Sequence, residues 1–231
     1  MHKNLGCLFA VLVIAIGFAA AQQKGAAVTP SGTTEKSAQQ ISLPAPVRAG
    51  RMTLEEAMAR RRSVREFVAK PLSEQQLGQL LWAAQGITHG DGLRTAPSAG
   101  ALYPLEIYVA TAAGVFHYDP HKHVLVRTQE ADARPALWRA ALEQDQIRDA
   151  GAVFIFTAVF ERTARKYGAA RTPRYVHIEV GHAAQNLLLQ AVALNLGSVP
   201  VGAFRDAEVQ KSLNLPKEQE PLYLIPVGHA R

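Results

Sequence analysis

The sequence predicts a compact domain that mixes helices with a β-sheet, and three stretches carry this prediction. Two strand-like runs, residues 115–118 and 124–127, flank an Asp-Pro-His-Lys turn and predict a β-hairpin. Residues 152–160 are apolar on both faces, which is typical of a central strand covered on both sides. From Tyr175 onwards, apolar residues recur at the spacing of a long core helix. We therefore expect a sheet with an antiparallel pair, packed against that helix.

The first residues have the pattern of an export signal. Lys3 gives a short basic start, residues 8–18 form an apolar run, and residues 19–21 have the small side chains of a signal peptidase site. The run is shorter than the roughly 20 residues that a membrane span needs. We predict a signal peptide at residues 1–21, cleavage near Ala21, export to the periplasm or medium, and no membrane span.

The rest of the composition predicts one domain after a linker. Residues 22–50 are rich in Gln, Ala, Ser, Thr, Gly and Pro, so we expect a disordered linker there and a domain at residues 51–231. The only cysteine, Cys7, lies in the predicted signal, which excludes disulfides and a catalytic thiol from the mature chain. The net charge is +6, but the arginines are scattered apart from a cluster at residues 60–65. This distribution argues against a nucleic-acid surface and favours one local anion site.

A short helix is predicted from Thr53 to Arg61, because Thr53 and Glu56 have the spacing of a capping box. At its end Arg61, Ser63 and Arg65 alternate, so an extended backbone would place their side chains on one side. Two guanidinium groups and a hydroxyl can hold a phosphate there by charge-assisted hydrogen bonds. The alternative is a solvated basic helix end, which the helix dipole favours.

A second helix, from Ser73 to Ile87, has Ser73 as N-cap and Gln76 three residues later. We assign Trp82 in this helix to the core rather than to a cofactor platform. Residues 97–104, Pro-Ser-Ala-Gly-Ala-Leu-Tyr-Pro, then place small residues between two prolines. Such a stiff, narrow backbone allows a flat ligand to approach closely.

Residues 105–111 alternate as a strand, and residues 134–142 predict a weak helix. His121 and His123 lie at the hairpin turn, but no third ligand is spaced to join them, so we predict no metal site. The sequence has no phosphate loop, no dinucleotide G-x-G-x-x-G and no G-x-S-x-G elbow. Nucleotide triphosphatase and serine hydrolase activities therefore have no support.

Lys166 and Tyr167 stand directly before the long helix, whose start carries Arg171, Pro173 and Arg174. A lysine beside a tyrosine predicts an acid/base pair, provided that burial or a cationic neighbour lowers the pKa of the lysine. Otherwise, the lysine is a surface residue at the end of a turn and the tyrosine is a packing residue.

The long helix is predicted to end at Gly197. Gly181 lies in the middle of this helix, and we expect it to permit close packing. His182 and Gln185 share one face, and we expect them either inside the core or at a subunit contact. Three elements are predicted to follow. They are a short buried strand at residues 199–204, a helix at residues 206–213 that Asp206 caps, and a last strand at residues 222–227.

Taken together, the segments from about Leu54 to the C-terminus resemble the flavin-dependent nitroreductase superfamily. Residues 61–65 resemble its R-x-S-x-R phosphate motif, and residues 97–104 occupy the place of its P-S-S-x-N-x-Q-P loop. Ala101 and Tyr103 stand where that loop usually has Asn and Gln. The resemblance implies an α+β fold with a central, mostly antiparallel sheet flanked by helices, and FMN bound at a homodimer interface.

The same resemblance implies three groups of cofactor-binding residues. The first set binds the phosphate of FMN and consists of Arg61, Arg62, Ser63 and Arg65, with Arg231 closing on the phosphate from the C-terminus. The loop on the isoalloxazine ring contributes Pro97, Ser98, Ala99, Gly100 and Leu102. Backbone groups of Val199, Pro200, Val201 and Gly202 would line the flavin.

Several segments are similar to one branch, the SagB-type (streptolysin-type) azoline dehydrogenases, which oxidise azoline rings in ribosomal peptides to thiazoles and oxazoles. The similar segments are residues 97–104, 166–168, Arg171, residues 174–175 and residues 181–186. In that branch the adjacent Lys and Tyr are the proposed catalytic pair, which implies Lys166 and Tyr167 here.

The expected function is therefore an exported FMN-dependent dehydrogenase of a small molecule or an azoline-containing peptide. The resemblance also implies that two identical chains form a homodimer. Export favours oxidation, because NAD(P)H is scarce outside the cytoplasm. Two alternatives stay open: an NAD(P)H-dependent nitro or quinone reductase, and a scaffold that binds flavin without turnover.

Overall fold

A computed structural model describes residues 39–231 of the chain. The predicted signal peptide, and residues 22–38 of the predicted linker, lie outside the described residues. Residues 39–231 belong to one compact unit. Within this part of the chain, no helix is both long enough and apolar enough to cross a membrane.

The fold is α+β, and its centre is an antiparallel sheet. The described strands are β1 (Gln40–Ser42), β2 (Phe67–Val68), β3 (Leu105–Thr111), β4 (Gly114–Asp119), β5 (Val124–Gln129), β6 (Ala152–Val159), β7 (Gly197–Ser198) and β8 (Gln219–Ala230). Their order across the sheet is β1-β5-β4-β3-β6-β8-β2, with β7 also paired to β8. The pairings between these strands are antiparallel. The predicted hairpin is confirmed as β4 and β5.

Helices cover both faces of the sheet. They are α1 (Leu54–Arg60), α2 (Glu74–Gln85), α3 (Arg134–Ala140), α4 (Asp145–Asp149), α5 (Phe160–Tyr167), α6 (Thr172–Ala193) and α7 (Asp206–Ser212). Apolar residues of α2 and α6 share one core cluster with one face of the sheet. Residues of α3, α4 and α7 share a second cluster with the other face.

Strand β6 lies between these two cores. Phe154 and Phe156 point into the cluster that contains α6, whereas Val153 and Ile155 belong to the opposite cluster. All four side chains are fully buried. This confirms the predicted central strand, covered on both faces, for residues 152–159, since an apolar side chain on either face is removed from water. Phe160, the last residue of the prediction, instead begins α5.

The linker prediction is wrong for its last residues. Gln40–Ser42 pair with β5, Leu43 is buried in the core, and Pro44 accepts a hydrogen bond from the ring of His123 at 3.1 Å. The polar composition hid this strand, because its stability comes from the partner strand rather than from its own sequence.

The helix starts follow the sequence closely, but some ends do not. Thr53 and Ser73 form the predicted capping boxes at α1 and α2. Helix α6 ends at Ala193 rather than at Gly197, because Asn195 adopts a left-handed conformation (φ 55°) and Gly197 already belongs to β7. Asp206 is the first residue of α7 instead of its cap.

The predicted strand at residues 199–204 is also wrong. In the segment from residue 197 to residue 204, the regular strand consists of Gly197–Ser198. Beyond it, Val201 makes an isolated bridge to Leu224. Pro200 has no N–H group to donate, so it interrupts the ladder between these two pairings.

Candidate functional site

The extended segment after α1 carries the arginine clasp, which we define as Arg61, Ser63 and Arg65. Ser63 forms a bridge with Ser198 of β7, and the N–H of Val64 donates to the Ser198 carbonyl at 3.0 Å. At the other end the N–H of Arg231 donates to the carbonyl of Glu66 at 3.2 Å. The clasp is therefore fixed between β7 and the C-terminal end of β8.

The arginines of this segment differ in what they contact. The guanidinium groups of Arg61 and Arg65 have no hydrogen bond or ion pair with any other residue in the described range 39–231. Arg62 instead donates from Nη1 to the carbonyls of Ala59 (3.0 Å) and Arg61 (2.7 Å). Two unpaired cations are thus available to an anion, while the Arg62 side chain is used to cap the end of α1.

The segment after β7 is only partly open to a ligand. The N–H of Val201 donates to Leu224 at 2.8 Å and its carbonyl accepts from Leu224 at 3.0 Å, and its side chain is buried. Val199 donates its N–H to Pro226 at 3.3 Å. The backbone groups of Val201 are therefore already paired with Leu224, whereas half-buried Pro200 and exposed Gly202 are accessible. That these four residues line a cofactor through backbone groups stays a prediction.

Residues 97–104 form what we call the small-residue loop. It contains a 3₁₀ turn at Ala99–Ala101, and Gly100 (φ 64°), Ala101 (φ 55°) and Tyr103 (φ 45°) have left-handed backbone conformations. For the two residues with a side chain this conformation costs roughly 1–2 kcal/mol each. Strain of this kind persists where surrounding contacts hold the backbone, and it concentrates at functional sites.

Those contacts come partly from Ser98. Its hydroxyl donates to Glu179 Oε2 of α6 at 2.6 Å and accepts the N–H of Tyr103 at 2.9 Å. Ser98 thereby ties the two ends of the turn to the core helix. Glu179 is 3% exposed, and its Oε1 is buried without a hydrogen-bond partner among the described residues.

Two arginines hold Tyr103. Its hydroxyl accepts the N–H of Arg94 at 3.1 Å, and the Arg94 guanidinium lies 4.3 Å from the ring centroid. Arg162 of α5 donates from Nη1 to the Tyr103 carbonyl at 3.1 Å and also pairs with Glu106. Burial raises the pKa of Glu106, but the hydrogen bond with His117 and the charge of Arg162 outweigh it and lower that pKa overall.

Lys166 and Tyr167, at the end of α5, lie against the middle of this loop. A Cβ atom placed on Gly100 would lie 2.8 Å from Lys166 Nζ and 3.0 Å from the Tyr167 hydroxyl. The Tyr167 ring packs on Tyr175 of α6, with the centroids 4.7 Å apart. Both polar groups therefore lie close to the backbone of Gly100, so the structure brings the predicted acid/base pair onto the predicted ligand loop.

Lys166 itself is exposed, so residues 39–231 do not bury it. The burial that would make it a base must come from a bound ligand or a second chain. Arg162 precedes Lys166 by one helical turn on α5, so one helix both anchors the loop carbonyl and presents the lysine.

The sequence did not identify Glu179. A glutamate within a helix usually faces water, and its partner Ser98 lies 81 residues away, so only the folded structure brings them together. Burial raises the pKa of Glu179 to about 7, against the opposing effects of the Ser98 hydrogen bond and the charge of Arg94.

His182, Gln185 and Gly181 are exposed on α6, which excludes the core alternative for the two polar residues. Among residues 39–231, no atom lies within 4 Å of a Cβ placed on Gly181, so this glycine permits no close packing within that part of the chain. The subunit contact stays a prediction.

An antiparallel sheet with helices on both faces defines an α+β domain, and the arginine clasp and the strained small-residue loop are its candidate ligand site. A family model described as the nitroreductase family matches residues 58–229. The chain belongs to the nitroreductase family and is an oxidoreductase of that family.

Individual relatives agree with this assignment. The chain is 46% identical over 181 residues to an inferred nitroreductase of Methanocaldococcus jannaschii, covering 76% of this chain and 90% of that protein. A crystal structure of an inferred nitroreductase from Ralstonia eutropha has a TM-score of 0.77 and 31% identity, covering 85% of this chain and 91% of that one. The E. coli microcin synthetase McbBCD complex, solved with truncated pro-MccB17 bound, has a TM-score of 0.66 and 25% identity, covering 74% of this chain and 70% of the matched chain.

Proposed function

We propose that the protein is an exported, FMN-dependent dehydrogenase that oxidises a small molecule or an azoline-containing peptide. The observation that carries this proposal is the position of Lys166 Nζ and the Tyr167 hydroxyl against Gly100 of the small-residue loop. Proton-handling groups thus lie beside the loop that, by family resemblance, contacts the flavin ring.

The residues present fit FMN. The guanidinium groups of Arg61 and Arg65 are unpaired among residues 39–231, and the Ser63 hydroxyl lies between them in sequence. Together they supply donors of the kind that bind a phosphate monoester. The small-residue loop offers a narrow backbone on which a flat ring system can lie. When bound, FMN would accept a hydride from the substrate.

The chain's own residues would handle the proton. Oxidation of an azoline to an azole removes two hydrogen atoms, one as a hydride and one as a proton. Lys166, in its neutral form, would take the proton from the ring carbon, and Tyr167 would share that proton or orient the substrate. The ligand covering the loop would shield the lysine from water. Arg162 would keep the loop carbonyl of Tyr103 in place during this step.

One structural comparison supports a peptide substrate. The microcin synthetase complex carries a truncated precursor peptide, and one of its chains shares this fold at 25% identity. That likeness supports a peptide as the substrate, and the azoline ring comes from the resemblance of residues 97–104 and 166–168 to the azoline dehydrogenases. Export is a separate part of the proposal and is based on the predicted signal peptide at residues 1–21. Fractionation of cells that express the full chain tests export, and retention of uncleaved protein in the cytoplasm would contradict it.

A second candidate is an NAD(P)H-dependent nitro or quinone reductase. The observation that favours it is the 46% identity to an inferred nitroreductase. Because such an enzyme takes its hydride from the nicotinamide, the two candidates differ in what reduces the flavin.

One experiment separates the candidates. The FMN-loaded protein is mixed anaerobically with NADPH, NADH or an azoline-containing peptide, and the flavin absorbance near 450 nm is followed. We expect the peptide or a related small azoline to bleach the flavin, with loss of two hydrogen atoms from the substrate by mass spectrometry. Rapid bleaching by NADPH or NADH with no reaction of any azoline would support the reductase instead.

Replacement of Lys166 tests the acid/base assignment. Lys166→Ala should retain FMN, because the lysine is not in the clasp, and should lower turnover about 100-fold or more, as expected for the loss of a general base. The matched control is Arg165→Ala, which removes a neighbouring exposed cation that pairs with Glu161 at 3.6 Å. Equal turnover of Lys166→Ala and the control would show that the lysine has no catalytic role.

A further inference from the structure

Glu179 and Ser98 form a hydrogen-bonded relay that ends in the small-residue loop. The contacts are Glu179 Oε2 to Ser98 Oγ at 2.6 Å and Tyr103 N–H to Ser98 Oγ at 2.9 Å. Ser98 is half-buried and Glu179 is buried. The serine is therefore the member of the relay that a ligand on the loop can reach.

The direction of the serine hydroxyl depends on the carboxyl. A hydroxyl has one proton to donate and two acceptor positions. Beside an ionised Glu179, Ser98 must donate to the carboxylate, and one acceptor position takes the Tyr103 N–H. Beside a protonated Glu179, the carboxyl donates to Ser98, both acceptor positions are filled, and the serine proton is free for a third group.

We propose that Glu179 is a positioning residue whose protonation turns the Ser98 hydroxyl into a donor towards the flavin on the small-residue loop. The inference rests on the proposed flavin site and adds a proton-controlled contact to it. Flavin rings carry carbonyl oxygens and ring nitrogens that accept such a hydrogen bond.

The surroundings of Glu179 favour a carboxyl that changes state near neutral pH. Its Oε1 lacks a partner within residues 39–231, which disfavours the ionised form. The charged group acting on it is Arg94, from the segment before the loop, which opposes protonation. On α6 itself, half-buried Tyr175 and exposed His182 lie one turn to either side. The balance raises the pKa of Glu179 to about 7.

The test is the affinity for riboflavin between about pH 5.5 and 8.5, measured by quenching of flavin fluorescence. Riboflavin is used because the FMN phosphate itself titrates near pH 6. The wild-type protein should bind riboflavin about three- to ten-fold more tightly at the acid end, the worth of one hydrogen bond.

Two variants separate the states. Glu179→Gln should bind tightly at every pH, because its amide N–H donates to Ser98 as the protonated carboxyl does. Ser98→Ala should bind weakly at every pH, because it has no hydroxyl to donate. The control Glu143→Gln removes an exposed carboxylate and should keep the wild-type pH profile.

The outcomes distinguish this role from the flavin site itself. Wild-type protein that binds neither riboflavin nor FMN at any pH would overturn the proposed cofactor and this contact with it. Binding that is independent of pH in the wild-type protein, or a wild-type pH profile retained in Glu179→Gln, would overturn the role of Glu179 alone.

A measurement without flavin checks the titration. Burial raises the pKa of Glu179 from its ordinary value of 4.5 to about 7 in the folded protein, so its contribution to stability is present at acid pH and is lost as the pH rises through 7. The melting temperature of the wild-type protein should therefore fall more than that of Glu179→Gln between pH 5.5 and 8.5. An equal fall in both would contradict the titration of Glu179.

Discussion

Arg61 and Arg62 are neighbours in the sequence but have different contacts in the structure. The Arg61 guanidinium is unpaired within the described residues, whereas that of Arg62 donates to two carbonyls at the end of α1. If the arginine clasp holds the FMN phosphate, Arg61 contributes charge-assisted hydrogen bonds to it and its neighbour Arg62 does not.

We expect Arg61→Ala to weaken FMN binding about 10- to 100-fold, since such bonds contribute about 1.5–3 kcal/mol. Arg62→Ala is the matched control and should stay within about two-fold of the wild-type protein. Riboflavin, which lacks the phosphate, should bind Arg61→Ala as it binds the wild type. Calorimetric titration measures the affinity of both variants for FMN and of Arg61→Ala for riboflavin. If Arg61→Ala lost affinity for riboflavin as much as for FMN, Arg61 would not bind the phosphate.

The sequence could predict the residues whose signal is local, and it missed those that depend on distant contacts. The alternation of Arg61, Ser63 and Arg65 and the adjacency of Lys166 to Tyr167 are visible in a few residues. The burial of Glu179 is not, because α2, the loop and the sheet must first pack around α6. The commitment of Arg62 to α1 was equally hidden, since a flexible arginine can reach in several directions.

At the level of elements, β7 couples the arginine clasp to the sheet. A Cβ atom placed on Gly197 would lie 2.7 Å from Val64 Cγ1 and 2.9 Å from Val64 Cβ. The segment that carries Ser63 therefore packs directly on a strand position without a side chain.

We expect Gly197→Ala to lower stability by about 1–3 kcal/mol through overpacking, and the melting temperature by about 2–10 °C. FMN affinity should fall as well, because Ser63 and Arg65 flank the displaced valine. Gly90→Ala is the control, since no atom lies within 4 Å of its Cβ position. Adding Val64→Ala should restore part of the loss, and no recovery in this double variant would refute the packing explanation.

Elements with strong local signals were predicted well, and short ones were not. The capping boxes at Thr53 and Ser73 were correct because each is completed within four residues. Strand β1 and the irregular pairing of residues 199–202 were mispredicted because partner strands decide them. The length of β8, Gln219–Ala230 rather than residues 222–227, likewise follows from its pairing with β6, β7 and β2.

For the whole molecule, one face of α6 has no partner within the described chain. Ile178, Gly181, His182 and Gln185 are exposed and follow helical spacing along one face. Ile178 is 51% exposed although it is apolar, and Gly181 leaves open space beside it. A small residue beside an exposed apolar one allows a second helix to approach, which favours a homodimer through this face.

We therefore expect Ile178→Glu to shift the protein towards monomer in sedimentation experiments, because two glutamates would be buried without partners in a symmetric contact. The family resemblance places FMN at the homodimer interface, so the same variant should also lose bound flavin in proportion to the monomer formed. Leu142→Glu is the control, since Leu142 is equally exposed (51%) but lies in the turn after α3. A dimer that persists in Ile178→Glu would exclude this face, whereas a flavin-loaded monomer would place the cofactor within a single chain.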